Sequence, residues 1–417
     1  HFYLCQAARW PKYFGCWSRD LPFSCGPREG YAQLLTQICP TFSISNRLRL
    51  SLVQRTRNSL KIMKYSFLLN GIQQMGIGVP DVQEIWSWYR QAFGLDVRIF
   101  EEAAPAPLMT RYTGGEVHYR TATLALNMAG GGGFEIWQFT SRPTVRPVFE
   151  PQLGDYGVFI CKIKSEDVRH TQRHLSQMGA NVSAVLQDPA GRLTCYVRDP
   201  NGNYFQIVEG RSWFTSSKHP SKCGGVAGAV IGVSDMLKSL RFYQDLLGYE
   251  QLVYDEAQVF TDFDFLPRGR EVFRRVLLSH SKVRGGYFAE LLGITEIELV
   301  ELSSQTGAKQ IFENRFWGDW GFIHLCFDVQ GMNALKERCA EFDAAFTVDS
   351  DNSFDMGEAA GRFSYIEDPD GYWIEFVETH KVPIFKKWGL YLNLKQGGKP
   401  KHLPKWMLKA LGLNRVK

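Results

Sequence analysis

Residues 365–379, YIEDPDGYWIEFVET, and residues 196–210, YVRDPNGNYFQIVEG, each set a D-P-[ND]-G turn between two runs of alternating polar and apolar residues. Proline presets φ early in such a turn and glycine supplies the positive φ that ends it, so both stretches read as β-hairpins. Upstream of the hairpins lie WGFIHLCFDVQGMNALKERCAEFDA (320–344) and YGVFICKIKSEDVRHTQRHLSQMGA (156–180), each an apolar strand followed by an amphipathic helix of about twelve residues. IQQMGIGVPDVQEIWSWYRQAFG (72–94) and AGAVIGVSDMLKSLRFYQDLLG (227–248) repeat that opening. They share V-x-D before the helix, an aromatic-Tyr pair late in it and a closing glycine. The aspartate suits the helix N-cap and the glycine the C-cap.

The pattern therefore comes round four times as a βαβββ module, an α+β chain of curved mixed sheets. Along the sequence the modules group as two tandem domains, 70–212 and 223–382, joined by a linker at 213–222 within the Ser-, Lys- and Pro-bearing stretch RSWFTSSKHPSKCG. Gly130–Gly133 precede a strand instead of leading from one into a helix, so they read as a hairpin turn and not as a phosphate loop. In FEIWQF, IELVEL and WIEFVE one glutamate alternates with large apolar residues. Glu135, Glu298 and Glu375 thus face away from the helix-packed side, and His324 is in phase with them, with Ile323, Leu325 and Phe327 pointing the other way.

The chain has 417 residues, 44% of them hydrophobic and 14% aromatic, enough for two to three domains with real cores. No apolar run reaches the ~18 residues a membrane-spanning helix needs. Of the formal charge of +5, residues 1–62 carry +7 and residues 383–417 carry +9, which leaves −11 for the body between them. That balance argues against a nucleic-acid surface on the body. The nine cysteines show no C-x-x-C spacing, and Cys161, Cys195 and Cys326 sit inside apolar runs as reduced core thiols would, which points to a cytoplasmic setting. Residues 1–62 lack periodicity and read as upstream sequence or an unstructured leader, with an Arg- and Ser-rich transit peptide as the alternative. The basic tail, 383–417, contains LPKWMLKALGL, a short amphipathic helix with Trp406, Leu408 and Leu411 placed to dock on a domain edge.

The V-P-D and W-Y of one half-module with the D-P-D-G-Y-W-I-E-F of another resembles the vicinal oxygen chelate superfamily (glyoxalase, bleomycin resistance protein and dioxygenase type) over residues 70–380. The resemblance implies that two modules form a cup and that a divalent metal ion (Zn, Ni, Fe or Mn) is held there by first and last strands. Its ligand positions fall on Gln74 and Glu135, Val158 and Gln206, Gly228 and Glu298, His324 and Glu375. Val158 and Gly228 carry no coordinating side chain, so at most one full site is expected, with candidate ligands His324, Glu375, Gln74, Glu135 and Glu298. Pairing modules one and four would unite Gln74, Glu135, His324 and Glu375, a set similar to that of glyoxalase I. Pairing three and four, as chain order suggests, would unite Glu298, His324 and Glu375. His324 and Glu375 belong to the site either way.

The implied function is a metal-dependent lyase or isomerase acting on a small molecule with vicinal oxygens through an enediolate-type intermediate, with Glu375 moving the proton. An extradiol or hydroxyphenylpyruvate-type dioxygenase would need two histidines and a carboxylate on iron, but its first histidine position is Gly228 here, unless His280 replaces it. The third reading is a small-molecule-binding protein without turnover, its pocket lined by Trp137, Trp317, Trp320 and Trp373. Loops 101–116 and 255–270 are placed to shape the pocket, and Arg111, His118, Arg120 and Arg268 are the residues available to an anionic substrate. A monomer is feasible and the oligomeric state is open.

Overall fold

Each module begins with a long apolar strand that runs into a helix. The computed structural model describes residues 66–304, 306–351, 354–355, 360–385, 390–394 and 402–416, so the reading of residues 1–62 lies outside it. Module one comprises β1 (Leu68–Gly78), α1 (Val82–Phe93), β2 (Val97–Pro105), β3 (Tyr119–Leu126) and β4 (Gly133–Phe139). Module two comprises β5 (Gly157–Ser165), α2 (Val168–Gln177), the short β6 (Asn181–Val182) and β7 (Leu186–Gln187), β8 (Leu193–Arg198) and β9 (Tyr204–Glu209). In module three, β10 (Cys223–Gly232) leads to α3 (Met236–Leu240), which continues as a π-helical turn over Arg241–Leu246, and then to β11 (Gln251–Val259), β12 (Val272–Ser279) and β13 (Glu296–Leu302). Module four runs through β14 (Gly321–Gln330), α4 (Met332–Ala340), β15 (Val348–Asp349), β16 (Phe354–Asp355), β17 (Ala360–Glu367) and β18 (Trp373–Phe385). The tail adds β19 (Leu390–Asn393) and α5 (Lys405–Ala410).

The caps form where the sequence placed them. The Asp81 carboxylate accepts from the Glu84 N–H and Gly94 ends α1 at φ 70°, while Asp235 accepts from the Leu237 and Lys238 N–H groups. Each satisfies donors that a helix start leaves without partners.

Two sheets result, and neither follows chain order. One runs β15-β17-β18-β14-β1-β4-β3-β2 and the other β11-β12-β13-β10-β5-β9-β8-β6. Modules one and four therefore share a sheet through antiparallel β1 and β14, and modules two and three share the other through β10 and β5. Chain neighbours meet on the opposite, helix-covered faces. Modules one and two pack Tyr89, Phe93, Phe134 and Phe205 together, and the Tyr89 hydroxyl donates to Asp199 at 2.7 Å. In modules three and four the Tyr243 hydroxyl donates to Asp368 at 2.8 Å. The aromatic-Tyr pair of one helix, Trp88-Tyr89 or Phe242-Tyr243, and the D-P-[ND]-G turn of the next module are thus two halves of one contact, made twice. The segments 70–212 and 223–382 are pairs packed back to back, and each concave sheet is assembled across them.

Gly130–Gly132 form the expected turn between β3 and β4, and it also ties modules together: Gly132 donates to the Val226 carbonyl and Gly225 donates to the Gly130 carbonyl. The 213–222 segment beside it is anchored by buried Phe214. In the tail, Leu408 is buried against Val97, Leu126, Met128 and Leu291, and Leu411 packs on the same cluster. Trp406 does not dock; it is 63% exposed.

Candidate metal centre

The sheet of modules one and four holds a cluster of polar groups at its centre. Pairing of β1 with β14 sets Gly76 opposite His324, parallel pairing of β1 with β4 sets Gly76 beside Glu135, and pairing of β14 with β18 sets Cys326 beside Glu375. One ligand atom from each of Glu135, His324 and Glu375 falls within 4.8 Å of the others. His324 Nε2 lies 3.0 Å from Glu375 Oε2 and 3.3 Å from Glu135 Oε2, and the Gln74 amide nitrogen lies 2.8 Å from Glu135 Oε2 and 3.4 Å from Glu375 Oε2. The one-with-four set is brought together. Glu298 is not part of it, because β13 belongs to the other sheet, so the three-with-four pairing does not form.

Gly76 explains why an imidazole fits at a sheet centre. A Cβ at that position would stand 2.3 Å from His324 Cε1, so the ring occupies the volume a side chain would take. On β14 the register shifts between Gly76 and Ile77, and two residues of β14 answer one step of β1. This bulge corrects the simple alternation: Leu325 and Phe327 enter the helix-side core as expected, but Ile323 joins Trp137, Trp317 and Tyr365 in the cup. Trp317 stacks on the His324 ring with centroids 6.1 Å apart, and the Tyr365 hydroxyl stands 3.4 Å from His324 Nδ1.

The electrostatics leave this cluster short of positive charge. Neither Glu135 nor Glu375 has a Lys or Arg within 4.0 Å among the described residues. Burial disfavours an imidazolium at His324, yet Glu375 and then Glu135 outweigh that and raise its pKa to about 9. His324 Nε2, close to both carboxylates, makes a well-angled hydrogen bond to neither, and Gln74 Oε1, Trp137 Nε1 and Trp317 Nε1 are buried without partners among the described residues. Two carboxylates, an imidazole nitrogen and an amide that can present its oxygen are a donor set suited to a divalent transition metal. Exchange of the Gln74 amide atoms would turn Oε1 toward the space beside the two carboxylates.

Among the described residues, the cup of modules two and three holds no such set. Its register places Ile160, not Val158, at the position of His324, because Cys161 pairs with Phe205 as Leu325 pairs with Ile374. Two residues on, Lys162 projects into the cup and its Nζ lies 2.9 Å from Glu296 and 2.8 Å from Glu298. Arg275 binds Glu298 at 2.6 Å and Asp262 at 2.8 Å, and Arg192 reaches Glu296 at 2.8 Å. Burial alone would raise the Glu298 pKa, but Arg275 and Lys162 hold it well below the usual range, and Lys162 and Arg192 likewise lower Glu296 to about 2. Gln206 donates to Thr194 at 3.0 Å and Tyr196 at 3.2 Å. His280 accepts the Thr295 N–H at 3.0 Å and is a packing histidine outside both clusters.

The remaining candidates divide. Arg120 is buried, pairs with Glu102 at 2.6 Å and lies 4.9 Å from the centroid of Trp137, at the cup's edge. Arg111 reaches Glu367 at 3.6 Å, Arg268 binds Asp155 at 2.9 Å, and His118 stands 3.1 Å from the Ser141 hydroxyl. Trp373 packs against the Trp137 and Trp317 cluster, whereas Trp320 turns to another crevice. The residues that sequence reading missed are Gly76, Lys162, Ile160 and Tyr365. An isolated glycine inside the IQQMGIGV strand and a lysine inside the apolar VFICKI run were signals that could have found two of them.

The model of the glyoxalase/bleomycin resistance protein/dioxygenase superfamily matches residues 71–207 and again 225–376. A lactoylglutathione lyase of Pseudomonas aeruginosa is 26% identical over 156 residues, 36% of this chain and 80% of that protein. Glyoxalase I from Zea mays superposes with a TM-score of 0.45 at 13% identity, covering 76% of this chain and 94% of that one. A putative dioxygenase from Bacillus subtilis gives 0.47 at 14% identity, covering 75% and 86%. No helix among the described residues is long and apolar enough to cross a membrane.

Proposed function

From the premise that the chain belongs to the glyoxalase/bleomycin resistance protein/dioxygenase superfamily, we propose that it is a metal-dependent lyase or isomerase with one site, built by Gln74, Glu135, His324 and Glu375. The observation that carries the reading is the pair of buried carboxylates around His324 Nε2, with no lysine or arginine beside them among the described residues. A divalent cation (Zn, Ni, Fe or Mn) held by these groups would polarise two vicinal oxygens of a small substrate and stabilise the negative charge of an enediolate. Glu375 is the group that takes a proton from the substrate carbon beside the carbonyl and returns it to the neighbouring carbon, with Glu135 facing it from the other module. Trp137, Trp317 and Tyr365 wall the cup and exclude water from it. Tyr365 and Trp317 hold the His324 ring in its plane.

The cluster contains a single histidine, which disfavours the two-histidine iron site of the dioxygenase reading. The test is direct. The full chain is stripped with EDTA, titrated with Zn, Ni, Fe and Mn ions, and mixed in D2O with a panel of α-hydroxycarbonyl compounds and hemithioacetals, including that of methylglyoxal and glutathione. One metal per chain and metal-dependent loss of the substrate C–H signal are expected. Metal uptake without exchange or turnover on any compound would favour a binding protein, and absence of metal uptake would sink the enzymatic readings together.

A further inference from the structure

Apart from the metal cup, the chain encloses a crevice of about 480 Å³ where β5 and β14 begin, between the two sheets. None of Gln74, Glu135, His324 or Glu375 lines it. Its walls are rings that the fold has already buried, among them Phe159, Tyr204, Trp320 and Phe322. Three guanidinium groups, those of Arg146, Arg198 and Arg315, line it against one acid, Glu150. The volume and the mixture of aromatic walls with a few placed polar groups are those of a small-molecule site.

The charges are not matched from within. Glu150 is taken by Arg198 at 2.9 Å. Arg146 stacks 3.9 Å above the Trp320 ring and has no carboxylate within 4.0 Å among the described residues. Arg315 is only 7% exposed, donates to the Ile311 and Trp320 carbonyls, and its Nε has no hydrogen-bond partner among the described residues. Burial, which Asp319 offsets only in part, lowers the Arg315 pKa to about 10. A buried donor left unmade costs stability unless something completes it.

We propose that this crevice is a second binding site, distinct from the metal cup, for a small organic anion: a carboxylate or phosphate group between Arg146 and Arg315, carried on a flat apolar body that lies against Trp320, Tyr204 and Phe322. Arginine suits this task because its planar donor fork matches an oxyanion while its face stacks on aromatic rings.

The experiment is calorimetric titration of the EDTA-treated full chain with benzoate, phenyl phosphate and neutral benzamide. Benzoate and phenyl phosphate should bind, and benzamide should bind at least about tenfold more weakly, because only the anions can make charge-assisted bonds. Arg146 and Arg198 are on the surface side, so Arg146→Ala and the double variant Arg146→Ala, Arg198→Ala should fold normally by circular dichroism. The single change should weaken benzoate about fivefold or more and the double change should remove its binding. His324→Ala should leave it unchanged. The proposal is overturned if no probe binds, if benzamide matches benzoate, if the double variant binds as the wild type does, or if His324→Ala removes binding and so places the probe in the cup.

Discussion

The two cups share a strand frame and differ in how they neutralise buried carboxylates. In the cup of modules one and four, Glu135 and Glu375 face an imidazole and an amide, and among the described residues no lysine or arginine reaches them. In the cup of modules two and three, Lys162, Arg275 and Arg192 bind Glu296, Glu298 and Asp262 directly. Where β1 carries Gln74 over Gly133, β10 carries Gly228 over Glu296, so the polar side chain has moved from one strand to its partner. A buried negative charge needs a counter-charge. The chain supplies that from its own lysine and arginine side chains in one cup; in the other, the proposed metal ion would supply it. The proposed metal site and the salt-bridge core are therefore alternative solutions to one electrostatic problem on one frame.

The largest expected effect tests the self-neutralised cup. Lys162→Met leaves Glu296 and Glu298 each short of a partner and should destabilise the chain by about 3–5 kcal/mol in urea unfolding. A loss below about 1 kcal/mol would mean that the two cups do not differ as argued. In the other cup, His324→Ala or Glu375→Ala should weaken Zn or Ni binding at least roughly thousandfold, about 4 kcal/mol, while Glu298→Gln leaves both stoichiometry and affinity unchanged in the same titration. Metal lost on Glu298→Gln would erase the distinction between the cups.

The pH profile sharpens it further. Glu296 has a folded pKa lowered to about 2 from 4.5, so its contribution is full above about pH 4.5 and is lost as pH falls toward 2. Glu296→Gln should therefore cost about 3 kcal/mol near neutral pH, with the gap to wild type closing through that acid window. A gap independent of pH would show that packing, not charge, holds this cup. The smallest effect concerns space. Gly76→Ala should push the His324 ring from its place and weaken metal binding roughly tenfold, with a matching loss of the Trp317 stacking signature in near-ultraviolet circular dichroism.

Much of this could be read from the chain alone. The D-P-[ND]-G hairpins, the Asp81 and Asp235 caps, the closing glycines and the cup-facing phase of Glu135, Glu298 and Glu375 are local, since turn geometry, capping and a period of two involve residues a few positions apart. They determined four βαβββ modules, and the resemblance they carried singled out His324 and Glu375. Which modules share a sheet was decided only by the tertiary structure, because the sequence offers the first strands of all four modules as similar apolar edges. The outward turn of Ile323 depends on a register shift between β1 and β14, and the lysine of an apolar strand becomes an internal counter-ion only because β13 arrives with two glutamates. The room for the imidazole comes from Gly76, which meets His324 across a sheet from the far end of the chain. Local chemistry is written in short-range pattern, whereas charge compensation and space between distant strands exist only once those strands are side by side.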